Sequence, residues 1–282
     1  MPRLHLCASR RAHHVLAATL VTLVAALTVA LSGPSAASAR TAPTSFNLAT
    51  FNILGSQHTA GSARYASGST RARWAARLLL ERHVDVVGFQ EIQPDQLRAA
   101  WHGFRGRYGV YPGKRLGYQG VPQSLFWNKA YWTLMKARTI TIPFLGQHRI
   151  QPAVRLRSTT TGRQIWFVNV HNAPRGRQAE RDVAIQIEAA LVRQLGRSGK
   201  PVFLVGDLNE KDAAFCGLTG TTTLTSPAGG SNDGGWCLPP AGMRIDWIFG
   251  TRTSFSGYLV DKSPAVSRIT DHAVLFTRAT LR

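Results

Sequence analysis

Pro201-Val202-Phe203-Leu204-Val205-Gly206-Asp207-Leu208-Asn209 is an apolar run of strand length that stops at a glycine and then presents two polar side chains. A continuous apolar run bounded by Pro and Gly reads as a buried strand. The same design recurs along the chain. Phe46–Ile53 carries Asn52 near its end, Val84–Phe89 is followed by Gln90-Glu91, and Ile165–Val170 is followed by His171. Asp246 sits within the strand-like stretch Ile245–Phe249, and Thr270-Asp271-His272 precedes the strand-like Ala273–Thr277. Layered sheets build their active sites at such strand ends.

The remaining strand signals are Ser124–Asn128, Tyr131–Thr141, Ala153–Arg157 and Gly257–Val260, giving about ten in all. Between them, Thr70–His83 repeats Trp74, Leu78 and neighbouring leucines at helical spacing, with Arg73 and Arg77 opposite. Pro94 opens a shorter helix through Trp101, and Gln178–Leu195 reads as a long one. Strands and helices in this mixture imply an α+β fold of packed layers. From Asn209 to about Gly242 the chain turns Gly/Thr/Pro-rich, and Gly217–Gly235 is longer than loops in compact domains usually run. Such a loop is either functional or held down covalently.

The first 39 residues differ in kind. Arg3, Arg10 and Arg11 precede an apolar run from Val15 to Leu31, and the stretch closes on Ala37-Ser38-Ala39. This pattern predicts a secretory signal peptide over 1–39 and a mature domain over 40–282. An uncleaved membrane anchor over 15–31 is the lesser alternative, since 17 apolar residues stand at the short edge of a span. Cleavage would remove Cys7 and leave Cys216 and Cys237, an even pair suited to an oxidising compartment, with no histidine pattern for structural zinc.

The whole chain carries 34 Lys+Arg against 14 Asp+Glu, and the mature part keeps 31 basic residues for a charge of +17. No basic run exceeds two residues, so the charge is a spread field and not a tail. It suits a polyanionic partner, nucleic acid or an anionic envelope polymer, although 28 of the 34 cations being Arg also fits compositional bias. No protein partner is inferable.

Several enzyme classes drop out: the chain has no phosphate loop ending in Lys-Ser/Thr, no His-Glu-x-x-His and no Gly-x-Ser-x-Gly. Taken singly, an Asn or Asp after a strand is a turn residue or helix cap, and a His there is structural. The ordered series argues for more. Thr-Phe-Asn-Ile at 50–53, Gln-Glu at 90–91, Val-Asn-Val-His at 168–171, Gly-Asp-Leu-Asn at 206–209, Ile-Asp-Trp-Ile-Phe at 245–249 and Thr-Asp-His at 270–272 follow one another. In this the chain resembles the endonuclease/exonuclease/phosphatase superfamily, the deoxyribonuclease I-like fold, from Phe46 to Leu281.

The resemblance implies a four-layer αββα sandwich and metal-dependent cleavage of phosphate esters. It makes Glu91 the main metal ligand, with Asn52 and Asp271 near the ion or its bound phosphate; Mg²⁺ suits such a site, with Mn²⁺ or Ca²⁺ as alternatives. Asp207 would orient or deprotonate the attacking water, and Asn209 would bond the phosphate as charge builds. His171 and His272 would donate to phosphoryl oxygens, with Asp246 fixing the tautomer of His272. His171-Asn172-Ala173-Pro174 and Gln151-Pro152-Ala153-Val154 are similar to segments of the secreted deoxyribonuclease I branch, and Cys216 and Cys237 lie where that branch has a disulfide. Gln151 stands in place of an acid that pairs with the first catalytic histidine there.

The expectation is therefore a secreted Mg²⁺-dependent nuclease acting on DNA or RNA. The alternative is a phosphodiesterase or phosphatase acting on lipid head groups, as sphingomyelinases do, or on small phosphate esters. Exposed aromatics would favour lipid, with Trp101, Tyr108, Tyr111 and Tyr118 as candidates. A catalytically dead binding protein would have no need of the intact set Glu91, Asp207, Asn209, Asp271 and His272.

Overall fold

A computed structural model describes residues 44–233, 235–242 and 245–282. The signal peptide expected at 1–39 and the alternative anchor at 15–31 lie outside the described residues. In chain order the elements are β1 (Ser45–Asn52), α1 (Gly68–Glu81), β2 (Val86–Gln90), α2 (Pro94–Gly103), β3 (Tyr108–Tyr111), β4 (Leu125–Asn128), β5 (Trp132–Phe144), β6 (Gln147–Ser158), β7 (Gln164–His171), α3 (Gln178–Gly196), β8 (Val202–Asp207), α4 (Asp212–Thr221), β9 (Ser231–Asp233), β10 (Trp236–Leu238), β11 (Asp246–Gly250), β12 (Thr253–Asp261), α5 (Pro264–Ser267) and β13 (Val274–Leu281).

Two mixed sheets stack face to face, one ordered β12-β13-β1-β2-β4-β3 and the other β11-β8-β7-β6-β5. The layer between them is aromatic and aliphatic: Phe46 meets Trp132 and Phe203 edge-on at centroid distances of 5.0 and 5.2 Å. Helices α1 and α2 cover the outer face of the first sheet, and α3 and α4 that of the second. This is the αββα sandwich expected. Among the described residues no helix is long and apolar enough to cross a membrane.

Strand direction decides where the site forms. β1 and β2 run parallel, as do β7 and β8, so Asn52, Glu91, His171 and Asp207 end at one edge of the sandwich. β11 and β13 run antiparallel to their neighbours and begin at that edge, which brings Asp246 opposite Asp207 and His272 beside β1. Parallel strands contribute their last residues and antiparallel strands their first.

Three local readings are corrected. On α1 the fully buried face is Arg71, Ala72, Ala75, Ala76 and Leu79, whereas Trp74 and Leu78 are half-buried at its flank. Small side chains let the helix lie close to α2, where a Cβ on Gly103 would come within 2.7 Å of Ala76. Arg71 tolerates burial because its guanidinium donates to the Ile53 and Ile269 carbonyls at 2.7 and 2.6 Å and to Thr59 Oγ1.

The hairpin of β5 and β6 extends past Thr141 on one arm and begins before Ala153 on the other, turning at Leu145-Gly146 with φ of 53° and 77°. Pro143 is accommodated because β5 is an edge strand. The third correction is Gly217–Gly235, which is no continuous loop: it contains the second half of α4 and strand β9. A disulfide from Cys216 to Cys237 (Cα separation 5.7 Å) joins α4 to β10, and the Asn232 amide donates to Cys216 O and Thr219 Oγ1 at 3.0 Å.

Candidate active site

Asp207 lies at the centre of the cluster, 1% exposed at the end of β8. Its Oδ2 accepts from Asn52 Nδ2 at 3.0 Å and has His171 Nε2 at 3.6 Å and His272 Nε2 at 3.7 Å. Its Oδ1 accepts from the Asn209 backbone N–H at 2.9 Å. Burial, and next the nearby Asp246 charge, push its carboxyl up to about 7, against the opposing pull of His272, Asn52 and the Asn209 N–H. A carboxylate poised there is suited to taking a proton near neutral pH.

The histidines differ in state. Burial opposes the charge on His272, but Nδ1 lies 3.0 Å from Asp246 Oδ2, and that pair, with Asp207 and Asp271, raises the ring to about 10. His272 is an imidazolium that donates to Asp246. His171 is 3% exposed, and burial lowers it to about 3, so its ring is neutral. Gln151 does not reach that ring: its Oε1 accepts from His171 N at 3.0 Å and its Nε2 donates to His171 O at 3.4 Å. The amide locks the main chain of β7 against β6, and Nδ1 of the ring has no hydrogen-bond partner among the described residues.

Glu91 faces the cluster from the end of β2, in the left-handed region at φ 62°. Its Oε1 accepts from Asn52 Nδ2 at 3.1 Å; its Oε2 accepts from Gly55 N at 3.0 Å and has His58 Nε2 at 3.5 Å. Burial works against its charge, yet the Gly55 N–H, the Asn52 amide and His58 hold it below the ordinary carboxylate range. Asp271 makes no side-chain hydrogen bond among the described residues; it lines a cavity of about 270 Å³ with Asp246, His272, Lys211 and Lys262. Asn209 turns at φ 50° and commits one amide N–H to Asn172 O at 2.9 Å.

The residues fit a divalent cation. The Asn52 amide sits between two carboxylates and donates to both, which marks a point of concentrated negative potential. Around it Glu91, Asp207, Asp246 and Asp271 are offset by the His272 imidazolium alone among the catalytic side chains. Oxygen donors of this kind suit hard ions. Asp207, Asp246 and His272 come closest together, one ligand atom of each within 4.8 Å of the others. A protonated ring repels a cation, however, so that trio reads as a hydrogen-bonded dyad beside Asp207, and Glu91 as the anchor.

Several contributors have no role assigned from the sequence. Asn169, a polar residue inside the apolar β7, accepts from Gln90 Nε2 at 2.6 Å and donates to Phe89 O and Gln123 O, tying the two sheets beneath the site. The sheets approach closely here: a Cβ on Gly88 would lie 2.5 Å from Asn169 Oδ1. Arg149, on the β5–β6 arm, stands over the Phe144 ring at 3.3 Å, and Phe144 packs edge-on against His171. Burial lowers its pKa to about 10, with the Glu91 charge opposing the shift.

The family model of the endonuclease/exonuclease/phosphatase family matches residues 49–272, the span that holds every one of these side chains. The chain belongs to this family. Its members are metal-dependent phosphoric ester hydrolases, and so is this protein. Among solved structures it is similar to a family protein from Bacteroides thetaiotaomicron (18% identity, TM-score 0.69, covering 86% of this chain and 99% of that one). A mannosyl-6-phosphatase of the same organism is similar at 17% identity and TM-score 0.68, covering 83% and 99%. D. rerio TDP2 complexed with a single-strand DNA product is similar at 16% and 0.62, covering 84% and 99%. These likenesses concern the fold. No curated protein matches by sequence.

Proposed function

We propose that this chain is a secreted nuclease that hydrolyses DNA or RNA phosphodiester bonds by in-line attack of water, with Mg²⁺ as its ion and Mn²⁺ or Ca²⁺ as alternatives. The observation that carries the substrate class is the placement of cations on both sides of the acidic centre. Lys211 and Lys262 line the cavity at His272, and Arg149 lies half-buried toward Glu91 with no ion-pair partner among the described residues. A polymer with phosphates on either side of the scissile one would meet a cation in both directions. The solved structure of TDP2 with single-strand DNA supports nucleic acid as a substrate of this fold.

In this reading Asp207 orients the attacking water and takes its proton. His272, held by Asp246, donates from Nε2 to a phosphoryl oxygen, and neutral His171 offers a second donor. Asn209 donates the N–H that Asn172 leaves free as charge grows on the phosphate. Glu91, with Asn52 and Asp271, would hold the divalent ion, which supplies charge neutralisation at the phosphoryl oxygens when bound.

A lipid substrate is the second reading, and one observation favours it. Trp236 and Leu238, two apart on β10, are 79% and 61% exposed, an apolar face that a membrane surface could accept. A panel of plasmid DNA, RNA, sphingomyelin vesicles and a chromogenic phosphomonoester, run with Mg²⁺ and with chelator, separates the readings. Fastest turnover of a nucleic acid, lost in chelator, is expected; fastest turnover of vesicles or of the monoester would overturn the proposal.

A further inference from the structure

Of the aromatics singled out above, Tyr108 and Tyr111 are buried, whereas Trp101 is 38% and Tyr118 64% exposed. Trp101 helps line a groove of about 340 Å³ between α2 and the segment after β3, with Leu97, Val110 and Gly113 as its apolar floor. Gly113 has φ 55°, and a Cβ there would lie 3.5 Å from Val110, filling the floor. Arg98, Lys114 and Arg115 also line this groove and are exposed. Among the described residues none of these three side chains has an ion-pair partner.

The groove opens on the edge that holds the active site. β3 is antiparallel to β4 and β4 to β2, so β3 runs in the direction of β2, and its last residue, Tyr111, lies level through Leu125 with Gly88, three residues before Glu91. One strand lies between them, a lateral offset of about 10 Å. Helix α2 starts beside the site, where Gln93 Nε2 donates to Glu91 O at 3.0 Å and Gln93 Oε1 accepts from the Tyr118 hydroxyl at 2.6 Å. Trp101 follows Gln93 along α2 by about 12 Å. A strand of a few nucleotides covers that distance.

We infer that the groove is a base-binding subsite for single-stranded nucleic acid, seating an unstacked base against Trp101 over the Leu97 and Val110 floor, with Arg98, Lys114 and Arg115 on the adjoining phosphates. The inference rests on the nuclease reading above. An apolar recess rimmed by unpaired cations matches one face of a base and the charges flanking it. A duplex hides its base faces in the stack, and a sugar phosphate has no apolar ring to fill the floor. A membrane would favour a protruding apolar surface over a recess.

The test measures cleavage of single-stranded oligonucleotides from two to about twelve nucleotides, with Trp101→Ala, Trp101→Phe and the double variant Arg98→Gln/Arg115→Gln. Arg157→Gln removes a cation at the opposite end of β6 and serves as control. Trp101→Ala should raise KM about tenfold on the longest strands and less than about twofold on dinucleotides, with kcat on the longest strands held and Trp101→Phe restoring most of the loss. The Arg98/Arg115 variant should show the same length dependence, which keeps the test open if Trp101→Ala folds poorly. A wild type that cleaves, with variants no different from Arg157→Gln at every length, overturns the groove and leaves the nuclease reading standing. A wild type that cleaves plasmid DNA but no single-stranded oligonucleotide overturns the groove alone, and one that cleaves neither plasmid DNA nor any oligonucleotide overturns both. Tight binding to phosphatidylglycerol vesicles that Trp101→Ala abolishes, with oligonucleotide KM unmoved, would make the groove a lipid site instead.

Discussion

His272 Nδ1 lies 3.0 Å from Asp246 Oδ2, while Nε2 of the same ring lies 3.7 Å from Asp207 Oδ2. One imidazolium is thus held by a buried acid on one side and turned toward the proton-accepting acid on the other. Asp246→Asn keeps the shape of this arrangement and removes the charge that favours the protonated ring. It should lower kcat by at least roughly a hundredfold, with the thermal midpoint within a few degrees of wild type. Unfolding with kcat preserved in the folded fraction would make Asp246 structural.

Glu91 shares the Asn52 amide with Asp207. Glu91→Gln leaves that amide a neutral partner and takes away the anion expected to anchor a divalent ion. Activity should fall by at least roughly a hundredfold, and the concentration of Mg²⁺ needed for half-maximal rate should rise. An unchanged Mg²⁺ titration with full activity would place the ion elsewhere.

Glu188 is fully buried on α3, with Asn172 Nδ2 at 3.5 Å as its one hydrogen-bond partner among the described residues. Burial pushes its carboxyl up to about 8 from an ordinary 4.5, the Asn172 amide opposing. A raised acid is protonated in the folded chain while the unfolded chain ionises, so folding loses stability as pH climbs from about 4.5 toward 8 and the loss then levels off. Glu188→Gln escapes this loss, which approaches about 1.4 kcal/mol per pH unit. Its thermal midpoint should exceed that of wild type by more at pH 8 than at pH 5; a constant difference would show that Glu188 does not titrate in this window.

The Cys216–Cys237 bridge closes a loop with a sequence separation of 21 and ties α4 to β10. Oxidised protein should be two mass units lighter than reduced protein. Reduction, or Cys216→Ser, should lower the thermal midpoint by roughly 5–10 °C. Two titratable thiols in protein prepared under oxidising conditions would contradict the bridge.

What was legible in the sequence followed from period and ending. Runs such as Val202–Gly206 announce buried strands, and the polar residues after them fell together because strand direction sends each to one edge. The charge relation of Asp246 and His272 came with the motifs. Helix α4 was not legible: Gly217 and Gly220 weaken its propensity, and the disulfide and Asn232 hold it instead. Strand β3 is four residues long and begins after an Arg/Gly stretch, too short for a period to show. Lys211, Lys262, Arg149 and His58 follow no spacing, and only the folded sheets bring them to the site. Gln151 shows the limit of reading by position, since its amide meets the backbone of His171 and not the ring.

The central claim is that a polyanion is cleaved between flanking cations, and the salt dependence of KM tests it most directly. On single-stranded DNA or RNA with Mg²⁺, KM should rise about tenfold or more between low and physiological salt as released counterions oppose binding. Flat KM across that range, with faster turnover of sphingomyelin vesicles by the same preparation, would contradict the account and leave the basicity as composition alone.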